Sequence, residues 1–321
     1  MSKILISGGS GFIGSHLTSK LKKSKHQVYI LDENLFYYDI KNMFQKKILQ
    51  YKKRKLICNT KVFKGSSTNK KFLEKVINKI KPDYVINLGA LPLAKNAILN
   101  PENAFNSIVL GAKNFAHCLK GKKFLKKFIH ISSSMVYGNF KYHTIDENHE
   151  KNPIEIYGSM KYASEIIVKG YARIFNINTI VLRPSAVYGP CDMNYRIVQK
   201  ILDNCLNGKP TTLNNAKKNL LDFTFVEDVA DAIKCATFAK TKNLEVFNIT
   251  YGKARSLYEL SKIFKKYFPN SKFIYSKKNN FYPKRGSLNI SKIKKIAGYK
   301  PRFNLEKGID HYIKFYKKFI I

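Results

Sequence analysis

The sequence predicts an α/β fold, a doubly wound parallel sheet, on three observations. Short apolar runs of strand length recur through the first 183 residues, segments of helical periodicity separate them, and the order strand, helix, strand repeats at least six times. The chain of 321 residues suits one large α/β unit or two closely packed lobes. Its 44% hydrophobic and 13% aromatic content excludes wholesale disorder.

The elements follow in order. Ile4 to Ser7 reads as the first strand, Ser15 to Lys23 as a helix presenting Leu17 and Leu21, and Val28 to Leu31 as the second strand. Ile40 to Arg54 is a lysine-rich helical segment, Lys61 to Lys64 a short strand, and Lys70 to Ile80 a helix stopped by Pro82, whose ring forbids continuation. Tyr84 to Leu88 returns as a buried strand. Helix Pro101 to Leu119, strand Phe128 to Ser132, helix Ile156 to Phe175 and strand Thr179 to Arg183 complete the alternation. After Pro184 the rhythm loosens: Arg196 to Asn207 and Val229 to Ala239 read as helical, Asp222 to Val226 and Val246 to Thr250 as extended.

The chain carries 59 Lys and Arg against 21 Asp and Glu, a net charge of +38. Only seven of the basic residues are arginine, so the charge is almost all lysine, spread along the whole chain. Guanidinium forks are the preferred readers of bases and phosphates, so this pattern points to composition, with a polyanion-binding surface as the alternative. The charge can also speed capture of an anionic small substrate. The runs Lys277 to Asn280 and Lys292 to Lys295 read as solvated faces. Five widely spaced cysteines, with no CxxC pair, suggest neither a disulfide framework nor a zinc site, and no metal is expected. No stretch approaches the about 18 apolar residues of a membrane-spanning helix, so a cytoplasmic protein is expected.

Gly8, Gly11 and Gly14 form GxxGxxG directly after the first strand and at the opening of a helix. Glycines there permit a tight turn and close approach of backbone to a pyrophosphate, which the helix N-terminus favours electrostatically. Asp32 ends the second strand, where a ribose 2′-hydroxyl would find an acceptor and a 2′-phosphate would be repelled. The context is that of a Rossmann-type dinucleotide site, with NAD favoured over NADP. Residues 1–183 are accordingly expected to form the NAD-binding domain, with a return around 227–250. Residues 184–321 then form mainly a smaller, interleaved C-terminal lobe that binds substrate.

Tyr157 and Lys161 lie four apart and share a helix face. A neighbouring ammonium favours the phenolate and lets a tyrosine act as a base. YxxxK alone is weak in a chain so rich in both residues, but Ser133 stands at the carboxyl end of a buried strand, where α/β sites are built.

The glycine motif, the strand Asp83 to Ala90, Ser132-Ser133-Ser134-Met135-Val136-Tyr137-Gly138, YxxxK, and Leu182-Arg183-Pro184-Ser185-Ala186-Val187-Tyr188-Gly189-Pro190 occur in this order. Together they resemble the extended short-chain dehydrogenase/reductase superfamily, in its NAD-dependent nucleotide-sugar epimerase/dehydratase branch. The resemblance runs on through Asp222 to Ala230 and to Gly308. It implies that Ser133 hydrogen-bonds the sugar, that Tyr157 is the acid/base, and that Lys161 binds the nicotinamide ribose and lowers the tyrosine pKa. Cofactor contacts are implied for Gly8, Gly11, Phe12, Ile13, Gly14, Asp32, Ser66, Leu88, Ala90, Tyr157, Lys161 and Pro184. Ser133 and Ser134 would face the substrate, with Arg196, Arg255 and Arg285 as candidates for its diphosphate, since a planar fork suits phosphate. A homodimer through the Tyr157 helix and the helix after Pro101 is implied as well.

Departures from the pattern are informative. Family 4,6-dehydratases carry Asp-Glu after the Ser/Thr, where this chain has Ser134 and Met135. Ser66 replaces an adenine-contacting Asp, Ala186 an Asn that touches the nucleotide, and Leu221 a phosphate-binding Arg. The expectation is an epimerase acting at C4 through a 4-keto sugar. A 4-reductase or 4-dehydrogenase comes next and a dehydratase after that. Outside the enzyme class stands a cofactor-sensing or polyanion-binding protein.

Overall fold

The computed structural model describes residues 1–33, 43–241, 243–277 and 283–320. The chain begins with β1 (Lys3–Ser7), α1 (Phe12–Lys23), β2 (Gln27–Asp32), α2 (Met43–Tyr51), β3 (Lys61–Lys64), α3 (Lys70–Ile80) and β4 (Tyr84–Asn87). It continues with α4 (Ala94–Leu99), α5 (Pro101–Phe105), α6 (Gly111–Leu119), β5 (Lys127–Ile131), β6 (Thr144–Ile145), α7 (Ile156–Ile174) and β7 (Thr179–Pro184). β1 to β5, β7 and the later β12 (Leu244–Ile249) form one seven-stranded sheet, ordered β12-β7-β5-β4-β1-β2-β3, every pairing parallel. The strands are continuous apolar runs because helices cover both faces; Ile4, Leu5 and Ile6 are fully buried. β3 is one edge, with Lys61 and Lys64 exposed.

The remaining elements are β8 (Val187–Tyr188), α8 (Ile197–Leu206), β9 (Thr211–Asn214), β10 (Leu220–Leu221), β11 (Thr224–Phe225), α9 (Val226–Phe238) and β12 (Leu244–Ile249). After them come β13 (Arg255–Ser256), α10 (Leu257–Tyr267), β14 (Phe273–Ser276), β15 (Ser287–Leu288), α11 (Ser291–Ala297) and α12 (Leu305–Ile320). β12 returns to the main sheet beside β7, while β9/β14, β10/β13, β8/β11 and β6/β15 form two-stranded pairs. A second core, with Leu202, Leu260, Phe264 and Tyr312, reaches Ile48 and Leu49 of α2.

Three predicted segments differ in detail. The helix expected over Pro101 to Leu119 is interrupted by a π-helical turn at Asn106–Leu110. Ser107 Oγ, which accepts from Leu91 N at 3.0 Å, lies in that turn. The lysine-rich helix passes into a second π-helical turn at Lys52–Leu56, and its first residues, 40–42, lie outside the described residues, as do 278–280 of the Lys277 to Asn280 run. The stretch Asp222 to Val226 is not one strand, because α9 already begins at Val226.

A buried carboxylate fastens the segments after Pro184 to one another. Asp222 accepts from Gly252 N (3.1 Å), Thr250 Oγ1 (3.0 Å) and Leu288 N (3.0 Å), and so ties β15 to the end of β12. β15 in turn lies along β6, with Ser287 N donating to His143 O (2.8 Å). This pairing carries Arg285 to the carboxyl side of β5.

Candidate active site

The cleft opens at the carboxyl ends of β1 and β4, where strand order reverses and ligands of such sheets bind. It measures about 650 Å³. Gly8, Gly11, Phe12, Ile13, Gly14, Asp32, Ser66, Leu88 and Ala90 line it, as does Arg196. Pro184, which closes β7, and Tyr157 and Lys161 of α7 are not among the lining residues. Gly8 holds φ +71°, and a Cβ on Gly14 would lie 2.1 Å from Gly8 O, so the turn admits no side chain there. Asp32 Oδ2 accepts from Ser10 N at 3.0 Å, which fixes the carboxylate beside the glycine turn. An open cradle of backbone, a helix N-terminus and a strand-end carboxylate fit a dinucleotide.

The cleft also shows what the motifs did not reveal. Asn103, Asn106 and Ser107 reach it from α5 and the π-helical turn, and Ser67, Thr68 and Asn194 complete its wall. A π-helical turn inside a helix often marks a functional site. Its sequence signal is faint: two asparagines three apart before an otherwise apolar stretch.

Ser133 caps the short 3₁₀ turn Ser134–Tyr137 after β5, its Oγ accepting from Met135 N at 3.2 Å. Tyr157 stands in the first turn of α7, whose N-cap Glu155 accepts from Tyr157 N (2.9 Å) and Gly158 N (2.6 Å). Burial pushes the Tyr157 phenol up to about 12; the positive Arg196 pulls it down, Glu155 adds to the rise, and the nearby Ser133 side chain favours the phenolate. Lys161 Nζ lies 5.9 Å from the Tyr157 ring centroid and donates to Ile131 O at 3.0 Å. Burial lowers it to about 8, opposed by Glu165.

A buried chain secures the base of this pair. Ser164 Oγ donates to Lys161 O (2.7 Å), so it must accept from His130 Nε2 (2.9 Å), leaving Nδ1 as the acceptor facing Asn87 Nδ2 (3.4 Å). Burial holds this imidazole neutral, at about 3.

The three arginines separate. Arg285 Nη1 reaches Met135 Sδ at 3.5 Å, and its charge acts on Glu155, so it stands at the Ser133–Tyr157 end. Arg196 lies 5.5 Å over the Phe12 ring and pairs with Asp192 at 2.6 Å, which places it on the cofactor side of the cleft. Arg255 sits across the β10/β13 pair from Leu221, but its guanidinium is engaged by Glu259 (2.7 Å) and Glu306 (2.9 Å). The structure therefore brings Arg285, and at the rim Arg196, to the site, and leaves Arg255 in an ion-pair cluster. Ala186 holds φ +38°, a left-handed conformation that Asn tolerates better than Ala.

Residues 4–250 match the model of the NAD dependent epimerase/dehydratase family. The chain is 31% identical over 319 residues to a putative UDP-glucose 4-epimerase of Methanocaldococcus jannaschii, covering 98% of each. It is also 31% identical over 247 residues to a dTDP-D-glucose 4,6-dehydratase of Dictyostelium discoideum, a stretch that spans 72% of this chain and 54% of that one. Among solved structures, UDP-glucose 4-epimerase of Thermotoga maritima with UDP-glucose is similar at TM-score 0.88 and 25% identity, over 99% of this chain and 100% of that one. UDP-glucuronic acid 4-epimerase of Bacillus cereus, in complex with UDP-glucuronic acid and NAD, gives TM-score 0.88 and 26% identity over 98% and 99%.

Proposed function

The chain belongs to the NAD-dependent epimerase/dehydratase family, and within it we propose that the protein is a nucleotide-sugar epimerase acting at C4 through a 4-keto intermediate. The observation that carries the reading is the composition of the turn after Ser133. It joins Ser133, Tyr157 and Lys161 with Ser134 and Met135, so no carboxylate follows Ser133 to drive loss of the C6 hydroxyl.

The glycine turn, Asp32 and Lys161 would hold NAD, which when bound accepts a hydride and returns it. The chain's own residues manage the proton. Ser133 orients the C4 oxygen, Tyr157 takes its proton and later gives it back, and the Lys161 ammonium stabilises the phenolate between the two events. Arg285 would grip the substrate diphosphate, with Arg196 nearer the cofactor. We assign residues 1–183 with 227–250 to cofactor binding and 184–321 mainly to substrate. We also assign the exposed apolar side chains Ile98, Leu99, Phe105 and Ile166 on α4, α5 and α7 to a homodimer face, to be checked by light scattering of an Ile166→Glu variant.

The test is product mass spectrometry with a panel of UDP-, GDP- and dTDP-sugars, with and without added NAD(H). A product of unchanged mass and new chromatographic position is expected. Loss of water would make the protein a dehydratase. A change of two hydrogens with stoichiometric NAD(H) would make it a reductase or dehydrogenase.

A further inference from the structure

Helix α7 carries more polar chemistry than Tyr157 and Lys161. One turn beyond Lys161 lies Glu165, 0% exposed, a place where a carboxylate is rare. Arg183 of β7 meets it with a two-pronged contact, Nε to Oε1 at 2.8 Å and Nη2 to Oε2 at 2.6 Å, and Lys169 adds a third at 2.9 Å. Arg183 is locked in its turn: its guanidinium lies 4.8 Å over the Tyr137 ring and donates to that hydroxyl at 2.9 Å. Burial alone would raise the Glu165 carboxyl, but the Arg183 contacts and Lys169 hold it at about 2.

A buried ion pair is weak evidence for stability, since apolar side chains of similar volume often serve as well or better. What an apolar pair could not supply is a field. Lys161 Nζ is buried against a neutral carbonyl, where desolvation favours the uncharged amine, and Glu165 is the anion that opposes this. The other ionisable groups around the pair do not replace it. His130 of β5 is neutral, Arg183 and Lys169 are cations turned to Glu165, and Arg196 and Glu155 act on Tyr157.

We propose that Glu165, braced by Arg183, is a positioning residue that keeps Lys161 in its ammonium form and through it sets how readily Tyr157 gives up its proton. This rests on the acid–base role of Tyr157 proposed above. The direction of the effect is diagnostic. Removing a carboxylate that acted directly on Tyr157 would ease ionisation of the phenol, whereas removing one that acts through Lys161 makes it harder.

The experiment needs no sugar. Tyrosinate absorbance is followed across pH in the NAD-loaded protein, and the same titration of a Tyr157→Phe counterpart is subtracted. Variants are Glu165→Gln, the double variant Glu165→Gln/Arg183→Met, which leaves neither charge buried alone, and Glu165→Asp. In the first two the Tyr157 midpoint is expected to rise by about one pH unit, a tenfold fall in its ionisation constant, and Glu165→Asp is expected to keep the native midpoint. A folded double variant whose midpoint stays or falls overturns the role of Glu165 and leaves Tyr157 as the base. A native protein with no ionisation separable from its Tyr157→Phe counterpart overturns both.

Discussion

Helix α7 and the segment from Pro184 to Arg196 both approach the cleft, yet they hold their charged groups in opposite ways. On α7 every functional group is fastened from behind: Tyr157 by the Glu155 cap, Lys161 by Ile131 O, and the helix itself by Ser164 on His130 and Glu165 on Arg183. On the other segment Ala186, Cys191 and Tyr195 hold positive φ of 38°, 68° and 53°, without glycine, at a cost on the order of 1 kcal/mol or more each. Its Arg196 rests on Asp192. The side proposed to handle the proton is prearranged, while the other side rests its one guanidinium near the cleft on a protein carboxylate.

That contrast can be broken in order of effect. Tyr157→Phe removes the transferring hydroxyl from a site left otherwise intact, so turnover should fall about 10²- to 10⁴-fold while NAD binding, measured by calorimetry, persists. Full activity would remove Tyr157 from the mechanism. Arg183→Met strands the Glu165 carboxylate and should cost about 3–5 kcal/mol in denaturant unfolding, with the Glu165→Gln/Arg183→Met double variant recovering most of it. A pH series sharpens this. Glu165 is depressed to about 2 in the fold, so its contribution is fully present above its ordinary value of 4.5 and lost as pH falls toward 2. The double variant should therefore lose less stability than the native chain across that window, and parallel curves would count against the pair.

Next comes the anion side. Arg285→Ala should raise KM for the nucleotide sugar about tenfold or more, from loss of a charge-assisted contact of about 1.5–3 kcal/mol, with kcat changed less. Arg255→Ala should leave KM alone and alter stability by under about 1 kcal/mol, because its partners are half-exposed. Equal effects of the two arginines would erase the distinction drawn between them.

The legible parts of the molecule were those that local chemistry decides. Apolar runs placed β1 to β5 and β7 because a parallel sheet covered on both faces leaves little room for polar residues. The glycine spacing pointed to the cleft, and Ser133, Tyr157 and Lys161 stand close together in the structure. Long-range pairing hid the rest. Nothing adjacent to Arg255 announces Glu306, and the π-helical turn on the cleft wall shares its composition with an ordinary helix. Arg183 carried a signal that went unread: an arginine inside Thr-Ile-Val-Leu-Arg-Pro must find a buried anion, and Glu165, on the inward face of α7, is where to look.

The sheet's β3 edge gives part of the lysine excess a purpose unrelated to anions. An unpaired outer strand presents backbone donors and acceptors to any strand of another molecule. On β3 the exposed positions are Lys61 and Lys64, so a second copy approaching to extend the sheet would have to bury ammonium groups against its own. Replacing both lysines with valine should turn a quiet margin into a seed for strand-to-strand aggregation, remote from the chemistry of the cleft.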